Sequence, residues 1–223
     1  KNKYGNNWKK ILLREFKSAV FEYEKTRRQI DDSQEEISKE LLEKEAILRD
    51  KASGFVGDLP VKVGDIISFP VFQIHSLRHG IKVVEFQTPH YERLILMFAQ
   101  KVLTQNHWDT EDAISKMETE VYHPPKLDCI HNSEYLNVER FTDFPQFNFD
   151  RIRMAPKNTY EDQLDGRYQL LIIISGRAAV VTQSGNSINI KKEESLFLPV
   201  AMKSYIIDNI GKNQLICLKA TPK

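Results

Sequence analysis

Three side chains in the middle of the chain have types and spacing that could do chemistry: His75, Glu85 and Arg93. The His75 imidazole could ligate a metal or hold a structural hydrogen bond. Glu85 closes the apolar run Val83-Val84, and a carboxylate buried there must be paired or protonated. Arg93 is its natural partner through a bidentate bridge. In a sharper reading, Arg93 faces a pocket and binds an anionic oxygen. His79 and His90 lie close by and offer a third arrangement, a rebuilt cluster with His75 and Glu85. His107-Trp108-Asp109 reads as packing by Trp108 and helix capping by Asp109 or Thr110. Tyr91, Phe98, Phe141, Phe144, Phe147 and Phe149 read as core. No Gly-rich phosphate loop is present, and no Ser-His-Asp or Cys-His arrangement has support beyond composition.

The element that must position His75 occurs twice. Val63-Gly64-Asp65-Ile66-Ile67-Ser68-Phe69-Pro70-Val71 leads on to His75, and Lys192-Glu193-Glu194-Ser195-Leu196-Phe197-Leu198-Pro199-Val200 leads on to Ser204. The two stretches align without a gap, 129 residues apart. Gly64-Asp65 predicts a tight turn and Ile66 to Phe69 a half-buried strand. Pro70 ends the ladder because it has no N–H to donate. The following strand would carry His75 to the mouth or interior of a barrel.

This pattern resembles the second conserved motif of the cupin superfamily. Gly64, Pro70 and His75 fit its spacing, while Phe72 stands where a Gly is usual. In the second copy Pro199 fits, Glu193 replaces the Gly and Ser204 replaces the His. Within the cupins, the order Pro70, His75, Gly80, Glu85, Arg93 behind a helical segment resembles type I mannose-6-phosphate isomerase, over roughly residues 8 to 220. The resemblance implies a single zinc with His75 as one ligand. It places Glu85 and Arg93 in the catalytic region, Arg93 stabilising the enediolate as a proton moves between C1 and C2 of a sugar phosphate. This chain departs from the family at Thr88-Pro89, where Ser-Asp is expected. It also has no histidine before His75, so the family's Gln-x-His pair and its Glu are missing. Gln73-Ile74-His75 spells that pair in the wrong place and reads as coincidence. A catalytic zinc needs about three protein ligands. Either further sequence upstream of Lys1 supplies them, or the metal site does not exist and the protein is a non-catalytic cupin that binds a small ligand or a protein partner.

Composition sets the frame. With 223 residues, 41% of them hydrophobic, the chain can bury a sizeable core. Its 32 basic and 31 acidic residues give a net charge of +1, which leaves no nucleic-acid footprint. Two cysteines, Cys129 and Cys217, are too few for a disulfide framework and suggest the cytoplasm. No apolar run reaches a membrane span.

Periodicity predicts helix from about Trp8 to Lys51, restarting at Asp31-Asp32-Ser33, and a short helix from Thr110 to Glu120. Lys82 to Phe86 and Leu94 to Phe98 read as strands. Further strands are expected at 168–175, 178–182, 187–190, 195–198, 204–207 and 214–218. The expected fold is mainly β with a helical segment: a bicupin with helical residues 1–58, a first and incomplete cupin unit at 59–132, and a second unit at 133–223 without metal ligands. Open strand edges suggest a homodimer.

Overall fold

The computed structural model describes residues 8–87, 93–96, 108–120, 122–141 and 144–223. The chain divides into two compact units, one of residues 1–83 with 89–123, the other of residues 84–88 with 124–223.

The first unit is built on helices α1 (Trp8–Asp31), α2 (Lys39–Ser53) and α3 (Thr110–Lys116). Phe16, Ala19, Val20 and Tyr23 recur at helical spacing along α1 and are buried together with Ala52 of α2 and Ile114 of α3. The restart expected at Asp31-Asp32-Ser33 is displaced. Asp31 stays in α1, where Arg27 one turn earlier grips its carboxylate at 2.6 Å. Ser33 accepts instead from the Glu35 N–H. The true N-cap of α2 is Ser38, whose hydroxyl accepts from the Leu41 N–H at 3.2 Å.

Between α2 and α3 the structure corrects three expected strands, the last over its described residues. Residues 64–69 and 82–86 form no ladder, and Leu94–Leu96 form none either. No strand partner for these runs lies among the described residues. Among the described residues of this segment the single pairing is a parallel bridge between Gln73 and Glu118. An apolar run without a hydrogen-bonded neighbour has no reason to adopt a regular strand. Val83 and Val84 are accordingly exposed.

The second unit contains ten strands: β1 (Leu127–Asn132), β2 (Leu136–Phe141), β3 (Phe147–Met154), β4 (Thr159–Gln163), β5 (Gln169–Ser175), β6 (Arg177–Thr182), β7 (Ser187–Lys191), β8 (Ser195–Leu198), β9 (Ser204–Asn209) and β10 (Leu215–Pro222). Eight of them nest as a folded hairpin: β3 pairs with β10, β4 with β9, β5 with β8 and β6 with β7, all antiparallel. Cross-pairings of β10 with β5 and of β6 with β9 complete two sheets, ordered β1-β2-β3-β10-β5-β8 and β4-β9-β6-β7. This nesting is a jelly roll. The fold is therefore mainly β with a helical segment, as expected. The described strands complete one roll, at residues 147–222, and the stretch expected to form a first roll contributes strand β1 from its C-terminal end.

Alternate residues of the strands face inward. Ile152 and Met154 on β3, Leu171 and Ile173 on β5, Ile207 on β9, and Leu215 and Cys217 on β10 share one core with Val138 of β2.

Candidate functional site in the interior of the roll

The same inward phase carries charge at one end of the roll. On β10, Lys219 follows Leu215 and Cys217 in register; on β3, Asp150 precedes Ile152; on β2, Arg140 follows Val138. Pairing sets Arg140 opposite Asp150, and Asp150 opposite Lys219, so the three lie side by side across three strands. From the other sheet, Asp162 on β4 and Tyr205 on β9 are register partners. Gln169 on β5 completes the group, two residues before Leu171.

The contacts close tightly. Arg140 binds Asp150 through two parallel N–H donors, at 2.6 and 2.9 Å. Lys219 Nζ lies 3.1 Å from Asp150 Oδ2 and 3.3 Å from the Tyr160 hydroxyl. It also donates to Asp162 Oδ2, joining the two sheets through an ion pair. Tyr205 donates to Gln169 Oε1 at 2.6 Å, with Asp162 Oδ2 3.2 Å from the same hydroxyl. Gln169 Nε2 in turn donates to Asp162 and to the Gln163 carbonyl, both at 3.3 Å. Asp150 and Lys219 are 1% and 2% exposed, so these charges must be paired to be tolerated.

Titration behaviour follows from that pairing. Burial works to raise the Asp150 carboxyl, but Arg140 and Lys219 outweigh it and hold the group below its usual range. Burial likewise opposes the Lys219 ammonium, and Tyr160, Asp150 and Asp162 together hold it above the usual range. Burial pushes the Tyr160 and Tyr205 phenols up. It also pushes the Cys217 thiol up to about 12. Both cysteines are free thiols, Cys217 buried and Cys129 exposed.

Beside the cluster lies a pocket of about 120 Å³, lined by Arg140, Asp162, Gln169 and Lys219 together with Asn148, Asp165, Arg167 and Thr221. Leu164 to Arg167 form a turn closed by the Arg167 N–H on the Leu164 carbonyl at 2.8 Å, with positive φ at Asp165 and Gly166. Asp-Gly suits such a turn, since Asp tolerates and Gly prefers that backbone.

None of these residues stood out as a site in the sequence reading. A signal was available on β10, where Lys219 is a charge on the apolar phase set by Leu215 and Cys217.

The residues singled out by spacing lie elsewhere. His75 is exposed, its ring stacked on Phe69 with centroids 3.9 Å apart. Its Nδ1 is 2.8 Å from the Gln73 carbonyl. A carbonyl only accepts, so the proton sits on Nδ1 and the neutral ring keeps its lone pair on Nε2. Glu85 and Arg93 are both exposed, Glu85 in the second unit and Arg93 in the first. His79 is exposed as well, while His90, Thr88 and Pro89 fall outside the described residues. Trp108 packs on the helical core as expected. Asp109 spends its carboxylate on the Ile95 N–H at 2.8 Å rather than on capping α3. Phe141 and Phe149 are buried as expected, whereas Tyr91, Phe98 and His107 fall outside the described residues. Among the described residues no three His, Cys, Asp or Glu side chains gather as a metal site. No helix among them is long and apolar enough to cross a membrane.

Solved structures similar to this chain include cupin domains. One is the cupin domain of Cnp3 from Schizosaccharomyces pombe, 18% identical, covering 42% of this chain and 65% of that one, with a TM-score of 0.36. Another is a cupin superfamily protein from Desulfitobacterium hafniense, 18% identical, covering 41% of this chain and 81% of that one, at 0.35. A third is ectoine synthase from P. lautus, 10% identical, covering 41% and 67%, at 0.36. No family model matches the chain, and no curated protein does.

Proposed function

We propose that the roll is a cupin-type binding module that takes a small polar ligand where the buried charge cluster meets the pocket. The observation that carries this reading is the placement of Arg140, Asp150, Asp162 and Lys219 on the core-facing phase beside an open pocket. Stability alone gives little reason to keep such a group, since well-packed apolar residues of similar volume are often as stabilising or more so. A panel of sugars, sugar phosphates and carboxylates tests it through thermal unfolding of the full chain. A ligand that binds the folded state raises the midpoint in proportion to RT ln(1 + [L]/Kd). Saturable stabilisation that is lost in Arg167→Ala supports the reading. A flat response across the panel refutes it.

A second reading keeps the isomerase lineage, with His75 as a zinc ligand and Glu85 and Arg93 at a sugar-phosphate site. The geometry that favours it is the Gln73 carbonyl on His75 Nδ1, the same outer hydrogen bond that orients metal-binding histidines. The described residues do not supply three ligands, so the fit is limited to His75 and no catalytic step is derived from it. Zinc analysis of protein purified without chelator decides. About one zinc per chain, lost in His75→Ala, together with mannose 6-phosphate turnover that Arg93→Ala abolishes, is expected on this reading. Metal-free, inactive protein rejects it.

A further inference from the structure

Resting on the binding-module reading, we infer that the pocket of the roll takes a neutral polyhydroxylated ligand, held by adjacent hydroxyls, rather than a free anion. The inference comes from counting what the cluster leaves unspent. Arg140 and Lys219 balance Asp150 and Asp162: Asp150 lies 2.6 to 3.1 Å from both cations, and Lys219 also pairs with Asp162, so those charges are used on each other. The remainder at the pocket is one carboxylate, Asp165, and one guanidinium, Arg167. Arg167 spends one nitrogen on the Pro222 carbonyl at 3.2 Å. The two sit on a single tight turn and cancel in charge. The rest of the lining, which includes the Asn148 amide and the Thr221 hydroxyl, is neutral.

Such a wall offers directional donors and acceptors in roughly equal number and no surplus charge. A free anion would meet Arg140, Arg167 and Lys219, but Asp162 and Asp165 share the same wall and Asp150 already holds Arg140 and Lys219, so no net attraction is left for it. A cation would meet Arg140, Arg167 and Lys219. Neighbouring hydroxyls suit both kinds of group, because each donates one hydrogen bond and accepts two. Asp165 can accept hydrogen bonds from two hydroxyls while Arg167 and Asn148 donate to the same oxygens. A volume of about 120 Å³ is several times the ~10–15 Å³ that a single water requires. That admits one edge of a sugar ring or a short polyol, with the rest of the molecule in solvent.

The test is an NMR titration of the ¹⁵N-labelled full chain with D-mannose, D-glucose, D-mannitol and glycerol, and separately with inorganic phosphate. The expected result is saturable shifts of the Asn148, Asp165, Gly166, Arg167 and Thr221 amides with at least one neutral probe and none with phosphate. Asp165→Asn should weaken that binding by about tenfold, while its spectrum away from the turn stays native; a tenfold loss matches one good hydrogen bond to a charged group. Phosphate shifting these amides while the neutral probes stay silent overturns the inference and leaves the binding module standing. Silence from both sets, with the panel of sugar phosphates and carboxylates also silent in thermal unfolding, overturns both.

Discussion

The two copies of the repeated stretch share their turns and differ in everything between them. In the first copy the Asp65 N–H donates to the Lys62 carbonyl at 3.1 Å, and the Lys62 N–H to the Asp65 carboxylate at 2.9 Å. In the second the Glu194 N–H donates to the Lys191 carbonyl at 3.0 Å, and the Lys191 N–H to the Glu194 carboxylate at 3.0 Å. The residue between them has positive φ in both, 96° at Gly64 and 71° at Glu193. Further on, Gln73 donates to the Pro70 carbonyl at 3.1 Å, and Met202 to that of Pro199 at 2.9 Å. Yet the second copy is strand β8, laddered to β5, while residues 64–69 join no strand ladder among the described residues. Turns close over three residues and are written locally. A strand needs a neighbour far along the chain, and β8 finds one where the first copy does not.

The largest expected effect breaks the roll at its charged end. Lys219→Met leaves buried Asp150 and half-buried Asp162 without their shared cation, and removing one partner of a buried pair costs about 3–5 kcal/mol. Urea unfolding should show that loss. The matching experiment in the first unit is Asp58→Ala. Its partner Arg78 lies 2.8 Å away with both side chains over 70% exposed, and such pairs contribute about 0–1 kcal/mol. Equal losses from the two variants would show that burial is not what separates the two regions.

Acid should find the same weak point. Asp150 is held below its usual pKa in the folded roll, so its contribution is complete above the unfolded value of about 3.9 and is lost as pH falls through the lower folded value. The urea midpoint should therefore drop steeply below about pH 4. Asp150→Asn should start less stable and lose less over that window. A mutant that tracks the wild type in parallel would remove Asp150 from the account.

How much of this was legible follows from the same division between local and distant. Strand β8 was placed at residues 195–198 from turn chemistry and alternation, and the structure draws it as Ser195–Leu198. Helix α3 was legible from Thr110 and its following acids. Strand β3, Phe147–Met154, was not, because Asp150, Arg151 and Arg153 put charge on both faces. Its pairs lie on neighbouring strands: Arg151 and Arg153 reach Glu139 at 2.8 and 2.6 Å on one face, and Asp150 reaches Arg140 on the other. A single sequence shows the charges and hides the partners. The site was missed for the same reason. His75 announced itself by spacing to its own neighbours, whereas Lys219 becomes a site residue through Asp150 and Asp162, more than fifty residues away.

Two glycines sharpen the contrast at smaller scale. A Cβ on Gly176 would sit 3.1 Å from the Gln214 carbonyl oxygen and the Leu215 Cα, both backbone, and its φ is 92°. Gly176→Ala therefore adds overpacking, about 1–3 kcal/mol, to left-handed strain of about 1 kcal/mol. At Gly64, φ is 96° but nothing lies within 4 Å, so Gly64→Ala should cost the strain alone. The roll punishes a methyl that the first copy has room for.

The smallest effect runs the other way. Glu193 occupies the Gly64 position of the second copy and holds a positive φ of 71° without being a glycine. Its backbone is kept there by β5, whose Ile173 carbonyl accepts from the Glu193 N–H at 2.8 Å and whose Ile173 N–H donates to the Glu194 carbonyl at 3.0 Å. Glu193→Gly relieves the strain but gives the unfolded chain more freedom to lose, so the net gain should stay below about 1 kcal/mol. A small rise in the urea midpoint is expected. A fall would mean that the turn in the roll is held by its Glu193 side chain as well as by its backbone, and that the two copies share a conformation for different reasons.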